Sequence, residues 1–365
     1  VYILLFEGQN INNPAPPFKT PLISSMPREL IAPAPQQVAF RESDSLPLKE
    51  GQVRVKSLYA AAKHGTEMAL YKGYASPRGR YDSEWRVFGG GDGVRYPVLL
   101  GNMCVGQVTE TGKGVTRLKE GDLVFHHGSF RQEHVWPQTV RLLPEGVPWQ
   151  NAVCLDPADF ALGALRDGHV RLGDAVAVFG LGAIGLMAVQ LCRLAGAHPV
   201  IGVDPLELRR QVALECGADL VLDPASCDAG LEIKKATDKR GADVCIEYSG
   251  HHLALQAALR GVAYNGTVVA GAYPAAYPAG LDLGAEAHMN RARIAFSRAC
   301  SEPNPDHPNW NEGRLFAVCW RLLSAGALRG EPVVRPVVAF EDLLREYPKI
   351  ATHPHENIKL GVRFS

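Results

Sequence analysis

Gly180-Leu181-Gly182-Ala183-Ile184-Gly185 is the stretch whose residue types point most directly to chemistry, a G-x-G-x-x-G in which three glycines clear the space around a turn. The first glycine permits the tight turn, the second lets backbone N–H groups close on a pyrophosphate, and the third lets a helix pack against the preceding strand. A carboxylate, Asp204, follows roughly 20 residues further on, where it accepts ribose hydroxyls and repels a 2′-phosphate. Together these features predict a dinucleotide site, with NAD rather than NADP as the cofactor. The flanking residues supply the elements that must hold it. Ala175 to Phe179 is a short apolar strand, and Ile184, Ala188, Leu191 and Ala195 recur at helical spacing. Gly196 stops the helix, and Pro199 to Val203 is the next strand. A helix opening at Gly182-Ala183 turns unpaired N–H donors and the positive end of its dipole toward phosphate.

The alternation continues with a helix from Leu206, the strand Leu220 to Leu222, a helix from Leu231, the strand Val244 to Ile246, a helix from Leu253 and the strand Thr267 to Val269. Arg291 to Phe296 supplies a last strand. The pattern predicts an α/β Rossmann-type, doubly wound parallel sheet. Such sheets bind ligands beyond the carboxyl ends of their strands, which makes Ser249-Gly250 and Gly271-Ala272 candidates for backbone contact with the cofactor. Ahead of it, strand-like segments at Val38 to Phe40 and Val53 to Val55, and others near Val105, Val124 and Val135, predict a small β-rich domain. Glu312 to Ala325 reads as a helix returning to that domain, followed by a helix over Glu341 to Ala351 and a strand over Ile358 to Val362.

The chain has 365 residues, enough for two domains of ordinary size, and a formal net charge of zero, so no basic surface argues for nucleic acid or an anionic membrane. No apolar run reaches the length of a membrane span, and Val1 to Phe6 is too short for a signal sequence. The eight cysteines (104, 154, 192, 216, 227, 245, 300 and 319) form no C-x-x-C and have mostly apolar neighbours, as expected of reduced core thiols in a cytoplasmic protein. Seven prolines between Gly8 and Gln36 predict an extended N-terminal arm over residues 1–36.

In this order of segments the chain resembles the medium-chain dehydrogenase/reductase superfamily, the zinc alcohol dehydrogenase-like proteins. The resemblance covers roughly residues 36–365 and is carried by Gly180 to Gly185, by Gly112-Lys-Gly-Val-Thr-Arg-Leu-Lys-Glu-Gly-Asp-Leu-Val124, and by His64-Gly-Thr-Glu67 where the family usually has Cys-Gly-Thr/Ser-Asp. It implies a GroES-like catalytic domain over 37–165 plus 311–365, an NAD-binding domain over 166–310, and a small-molecule substrate in the cleft between them. It also implies a homodimer or homotetramer, Arg209 beside the adenine ribose, and Lys359 at the pyrophosphate.

The departures from the family pattern bear on the chemistry. The three positions that hold catalytic zinc in relatives correspond to His64, Asn102 and Asp156, and a neutral amide with no thiolate makes a poor zinc site. The four-cysteine lobe of a structural zinc is missing, since the chain runs from Val124 straight through His126, His127 and His134. No metal is therefore expected. Hydride transfer from an alcohol still requires a proton acceptor. His64, with an ordinary pKa of about 6.5, suits that task, with Asp156 orienting it. Thr66 keeps the hydroxyl that passes the proton on in relatives, Lys63 is a second group able to stabilise an alkoxide, and Glu67 supports the site. The polar segments Tyr74 to Tyr96, with Tyr81, Trp85, Arg78, Arg80 and Arg86, and Arg298 to Trp310 are candidate covers suited to a sugar- or polyol-like substrate. The expected function is a zinc-independent NAD oxidoreductase of such a compound. The alternatives are a zinc enzyme with an atypical His64/Asp156 site, an enoyl or quinone reductase, and a non-catalytic NAD-binding protein.

Overall fold

Val53 and Val55 alternate with Arg54 and Lys56 along β3 (Gln52–Ala61), and that period of two buries the valines and turns the charges outward. The computed structural model, which describes residues 26–73, 81–89, 94–278, 280–298 and 309–365, builds its β-rich part around this strand. β1 (Arg28–Ala32) and β2 (Ala39–Glu42) form a hairpin that adds the short strand Val98–Leu99. β3 pairs antiparallel with β4 (Met103–Thr111), β4 with β5 (Leu123–His127), and β6 (Glu133–Pro137) with the first half of β3. The end of β3 carries α1 (His64–Tyr71).

One expectation needs correction here. Residues 1–25 lie outside the described residues, but 28–32, taken as the end of an extended arm, are a sheet strand. Leu30, Ile31 and Ala32 are buried, and Pro33 and Pro35 fall in the turn to β2, so the prolines punctuate a hairpin there.

α2 (Leu155–Asp167) leads into the second sheet. There β7 (Val176–Phe179) is followed by α3 (Ala183–Leu194), β8 (Val200–Val203), α4 (Glu207–Glu215) and β9 (Leu220–Leu222). β10 (Ala242–Glu247), α5 (His252–Gly261), β11 (Val262–Ala270) and β12 (Arg293–Phe296) complete it. The strand order is β9-β8-β7-β10-β11-β12 and every pairing is parallel. β7 and β8 are buried at every position, which is why they read as continuous apolar runs rather than alternating ones. The chain leaves β7 toward β8 on one side and later enters β10 on the other, so a crevice opens beyond the carboxyl ends of β7 and β10.

α6 (Glu312–Ser324) packs on α2 and returns the chain to the β-rich part, where β13 (Gly361–Arg363) pairs with the end of β3. The single helix expected over Glu341 to Ala351 is instead a 3₁₀ turn and two short helices, Leu343–Glu346 and Lys349–Thr352. Pro348 has no N–H to continue the ladder.

Candidate active site

β3 ends, α1 begins and β13 returns beside the crevice of the parallel sheet, enclosing a cavity of about 810 Å³. Its middle wall is the glycine turn. Gly180 has φ +84° and packs on the loop after β10, where a Cβ would stand 2.5 Å from the Ser249 nitrogen. A Cβ on Gly185 would stand 1.9 Å from the Gly180 carbonyl oxygen, so that glycine lets α3 close onto the turn. Around Gly182 there is no protein atom within 4 Å of the place a Cβ would take. α3 starts there without a side-chain cap, leaving N–H donors for a phosphate. Gly180, Gly182, Ala183, Ile184 and Gly185 all line the cavity, as expected of a pyrophosphate cradle.

Asp204 stands just past the end of β8, buried but reaching the cavity wall. Its carboxylate accepts the N–H groups of Leu181 (2.8 Å) and Leu206 (2.9 Å), and Arg209 Nη1 lies 3.5 Å away. Arg209 donates from Nη2 to the Asn357 carbonyl at 3.3 Å, while its buried Nε has no partner. A carboxylate and a cation beside it therefore share this end of the cavity.

At the other end the expected pairings rearrange. Lys63 Nζ bonds Asp156 Oδ1 at 2.8 Å and lies 4.0 Å from the centre of the Phe160 ring. Asp156 thus holds Lys63 and not His64. His64 accepts the Leu360 N–H on Nε2 at 2.9 Å. Burial, with the cations Lys359 and Arg209 nearby, lowers its pKa to about 3, so the ring is neutral and its free lone pair is used. Glu67, pushed up by burial, accepts the N–H groups of Lys63 and Gly101 and the hydroxyl of Tyr347, tying α1 to the neighbouring turn. Lys359 is buried under this end, donates to the Ala62 carbonyl at 2.7 Å, and has its pKa lowered by burial. It also lines the cavity, with Cys154, Asp156, Glu67 and Lys63 as its titratable neighbours.

Four expected residues stand elsewhere. Thr66 is exposed on α1 and is not part of the cavity wall. Asn102 is also outside the wall, with its backbone tied to Ala61 and Gly128 and a buried side-chain nitrogen lacking a partner. Gly271 and Ala272 are not in the wall, and the Tyr248 ring occupies the space a Cβ on Gly271 would need. Tyr248 itself lines the cavity and donates to the Phe160 carbonyl at 2.8 Å, a role signalled only by its place before Ser249-Gly250. Ser249 is in the wall, and its loop is pinned by Glu247, which accepts the N–H groups of Ser249 (2.6 Å) and Gly250 (3.0 Å). Of the expected covering segments, residues 74–80 and 90–93, with Arg78 and Arg80, and residues 299–308 fall outside the described residues. Tyr81–Asp82 pairs with Val87–Phe88 in a hairpin whose Trp85 is 76% exposed and away from the cavity.

Residues 49–140 match the model of the alcohol dehydrogenase GroES-like domain, and residues 183–306 match that of the zinc-binding dehydrogenase. The D-guloside 3-dehydrogenase of Escherichia coli (strain K12) is 43% identical over 350 residues, covering 92% of this chain and all of the relative. The chain belongs to the medium-chain dehydrogenase/reductase superfamily. It is an oxidoreductase, and its fold is a GroES-like domain joined to a Rossmann domain. Among solved structures it is similar to an alcohol dehydrogenase from E. coli CFT073 complexed with NADH (TM-score 0.73, 20% identity, 93% of this chain and 100% of that one). It is also similar to a putative zinc-binding dehydrogenase from Sinorhizobium meliloti 1021 bound to NADP (TM-score 0.71, 18% identity, 93% and 99%). The uncapped α3 and the open space at Gly182 fit a nicotinamide dinucleotide. No helix among the described residues is long and apolar enough to cross a membrane.

Zinc, which the family's name implies, does not suit the residues present. An ammonium already occupies the Asp156 carboxylate, the lone pair of His64 is taken, and the third position is an amide. Among the described residues no three His, Cys, Asp or Glu side chains converge as a metal site.

Proposed function

We propose that this protein is a zinc-independent, NAD-dependent dehydrogenase of a sugar-like hydroxyl, in which Lys63 and Asp156 handle the proton. The observation that carries the reading is the Lys63–Asp156 ion pair in the wall of the cavity that the glycine turn and Ser249 also line. A ring hydroxyl of a glycoside is the favoured substrate, on the similarity to D-guloside 3-dehydrogenase over the whole of that relative.

Bound nicotinamide supplies hydride acceptance and return. The rest falls to the chain. α3 and the glycine turn hold the phosphates, and Asp204 accepts ribose hydroxyls. The Lys63 ammonium, fixed between Asp156 and the Phe160 face, stabilises the alkoxide as it forms, and Asp156 takes the hydroxyl proton from the pair. In the reducing direction the proton returns from Asp156 to the carbonyl oxygen while the Lys63 ammonium again stabilises the developing negative charge. His64 stays neutral and orders Leu360.

The test is a panel of glycosides, free sugars, polyols and enones with NAD or NADP, read by nicotinamide absorbance, alongside metal analysis of protein purified without chelator. Oxidation of a glycoside with NAD by protein free of stoichiometric zinc is the expected result. Activity that vanishes with a chelator and returns with zinc would overturn the metal-free reading. Arg209, with its unpartnered Nε beside Asp204, favours NADP as the second reading, and tighter NADP binding in the same titrations would establish it.

A further inference from the structure

Tyr248 stands in the cavity wall but takes no part in the chemistry described above. It is the first residue past β10, and its side chain reaches across to α2, where the hydroxyl donates to the Phe160 carbonyl at 2.8 Å. Burial raises the pKa of the phenol, so the hydroxyl keeps the proton that this bond needs, and the Ser297 side chain just past β12 is its other partner. The fold clears room for the ring as well. A Cβ on Gly271, the first residue past β11, would stand 2.5 Å from the ring's Cζ, so no larger residue fits there while Tyr248 keeps its place.

The bond lands on the turn of α2 that holds the Lys63 ammonium. Asp156 Oδ1 lies 2.8 Å from Lys63 Nζ, and the centre of the Phe160 ring is 4.0 Å from the same nitrogen. Asp156 and Phe160 are one turn apart on one face of the helix. Lys63 comes from the end of β3 on a long, flexible stem, and these two contacts select its position. The place of the ammonium therefore depends on where that turn of α2 sits, and Tyr248 ties the turn to the loop that carries Ser249.

We propose that Tyr248 is a positioning residue, which grips α2 at Phe160 and so sets the Lys63–Asp156 pair in the place from which it serves the reaction. The inference rests on the dehydrogenase reading above. A forming alkoxide is stabilised best by a cation that is already in place, and a displacement of ~1 Å can cost as much as 10² in rate. Tyr248 touches neither the ammonium nor the carboxylate. It acts on both through the helix backbone at Phe160.

Two measurements test this separately. The first needs no substrate. In proton–carbon correlation spectra of NAD-saturated protein with isotope-labelled lysine Cε, the Lys63 methylene protons, held against the Phe160 ring, should resonate upfield of those of exposed lysines. Their loss in Lys63→Met assigns them. Tyr248→Phe keeps the ring and removes only the hydroxyl, and it should move that signal toward the exposed lysines. A signal that stays where it was overturns the grip even if the enzyme is active. The second uses the glycoside oxidised best in the panel. Tyr248→Phe should lower kcat by about tenfold, with KM and NAD affinity within about twofold. The same change made in Lys63→Met should cost about twofold or less, because the group through which it acts is gone. An unchanged kcat in Tyr248→Phe, or a tenfold loss that survives in Lys63→Met, makes the tyrosine a structural part of the wall and sinks the proposal. If the Lys63 signal moves as expected and no compound in the panel is oxidised, the dehydrogenase reading fails while the grip of Tyr248 on the ion pair stands.

Discussion

Lys63 and His64 are neighbours in sequence, and the geometry gives them opposite electrical roles. Lys63 is ion-paired with Asp156 at 2.8 Å, whereas His64 is neutral, with its Nε2 committed to Leu360. Transition-state charge at a forming alkoxide is stabilised by a fixed positive group, so the lysine should matter more than the imidazole. Replacing Lys63 with Met should cut kcat by about 10² or more while leaving NAD affinity within about twofold, in steady-state rates and cofactor titrations. His64→Asn keeps a side-chain acceptor near the Leu360 N–H and should hold kcat within about tenfold. A loss of about 10² or more in His64→Asn, with the fold intact, would return the proton chemistry to the imidazole.

The glycine turn separates binding from folding within six residues. Gly182 has φ −73°, which Ala accepts, and the space beside it is open, so Gly182→Ala should change stability by less than about 1 kcal/mol. Its methyl would project into the open space proposed above for a phosphate, and NAD should bind about tenfold or more weakly, measured by titration against thermal unfolding. Gly185→Ala should fail in both assays, because its Cβ would collide with the Gly180 carbonyl and push α3 off β7. This turn was legible in the sequence because its determinants are local, with strand, turn, helix and Asp204 all inside about thirty residues. The catalytic end was not, because its bonds join distant positions. Lys63 meets Asp156 across 93 residues and Leu360 reaches back 296 to His64. Spacing proposed His64 and Asp156 as a pair, and nothing local in it shows that the lysine next door has the longer reach. Likewise Gly271 has the sequence of a cofactor-facing turn, and only the fold lays the Tyr248 ring over it.

Buried histidines and a buried carboxyl have opposing proton linkage, and both contribute to how the whole molecule responds to pH. His64 and His134 in the β-rich part are held neutral by burial, both down to about 3. A histidine depressed in the native state binds its proton more readily when unfolded. It therefore withdraws stability as pH falls from about 6.5 toward 3, at about 1.4 kcal/mol per pH unit for each such group. Asp159 on α2 has the reverse sign. Its carboxyl is raised from 3.8 to about 7, so the native state takes up a proton that the unfolded chain does not, and stability is lost as pH rises through that window. Between about pH 4 and 6.5 the carboxyl offsets about one of the two histidine slopes. Removing the Asp159 charge exposes the histidine slope, so Asp159→Asn should lose stability on acidification more steeply than the native protein. At pH 8 the variant should be the more stable by on the order of 2 kcal/mol, and this advantage should vanish near pH 4. Urea denaturation of both proteins across pH 4–8 reads the difference directly. Parallel curves would mean that Asp159 ionises like a solvated carboxylate, and they would remove the electrostatic ground on which its buried proton rests.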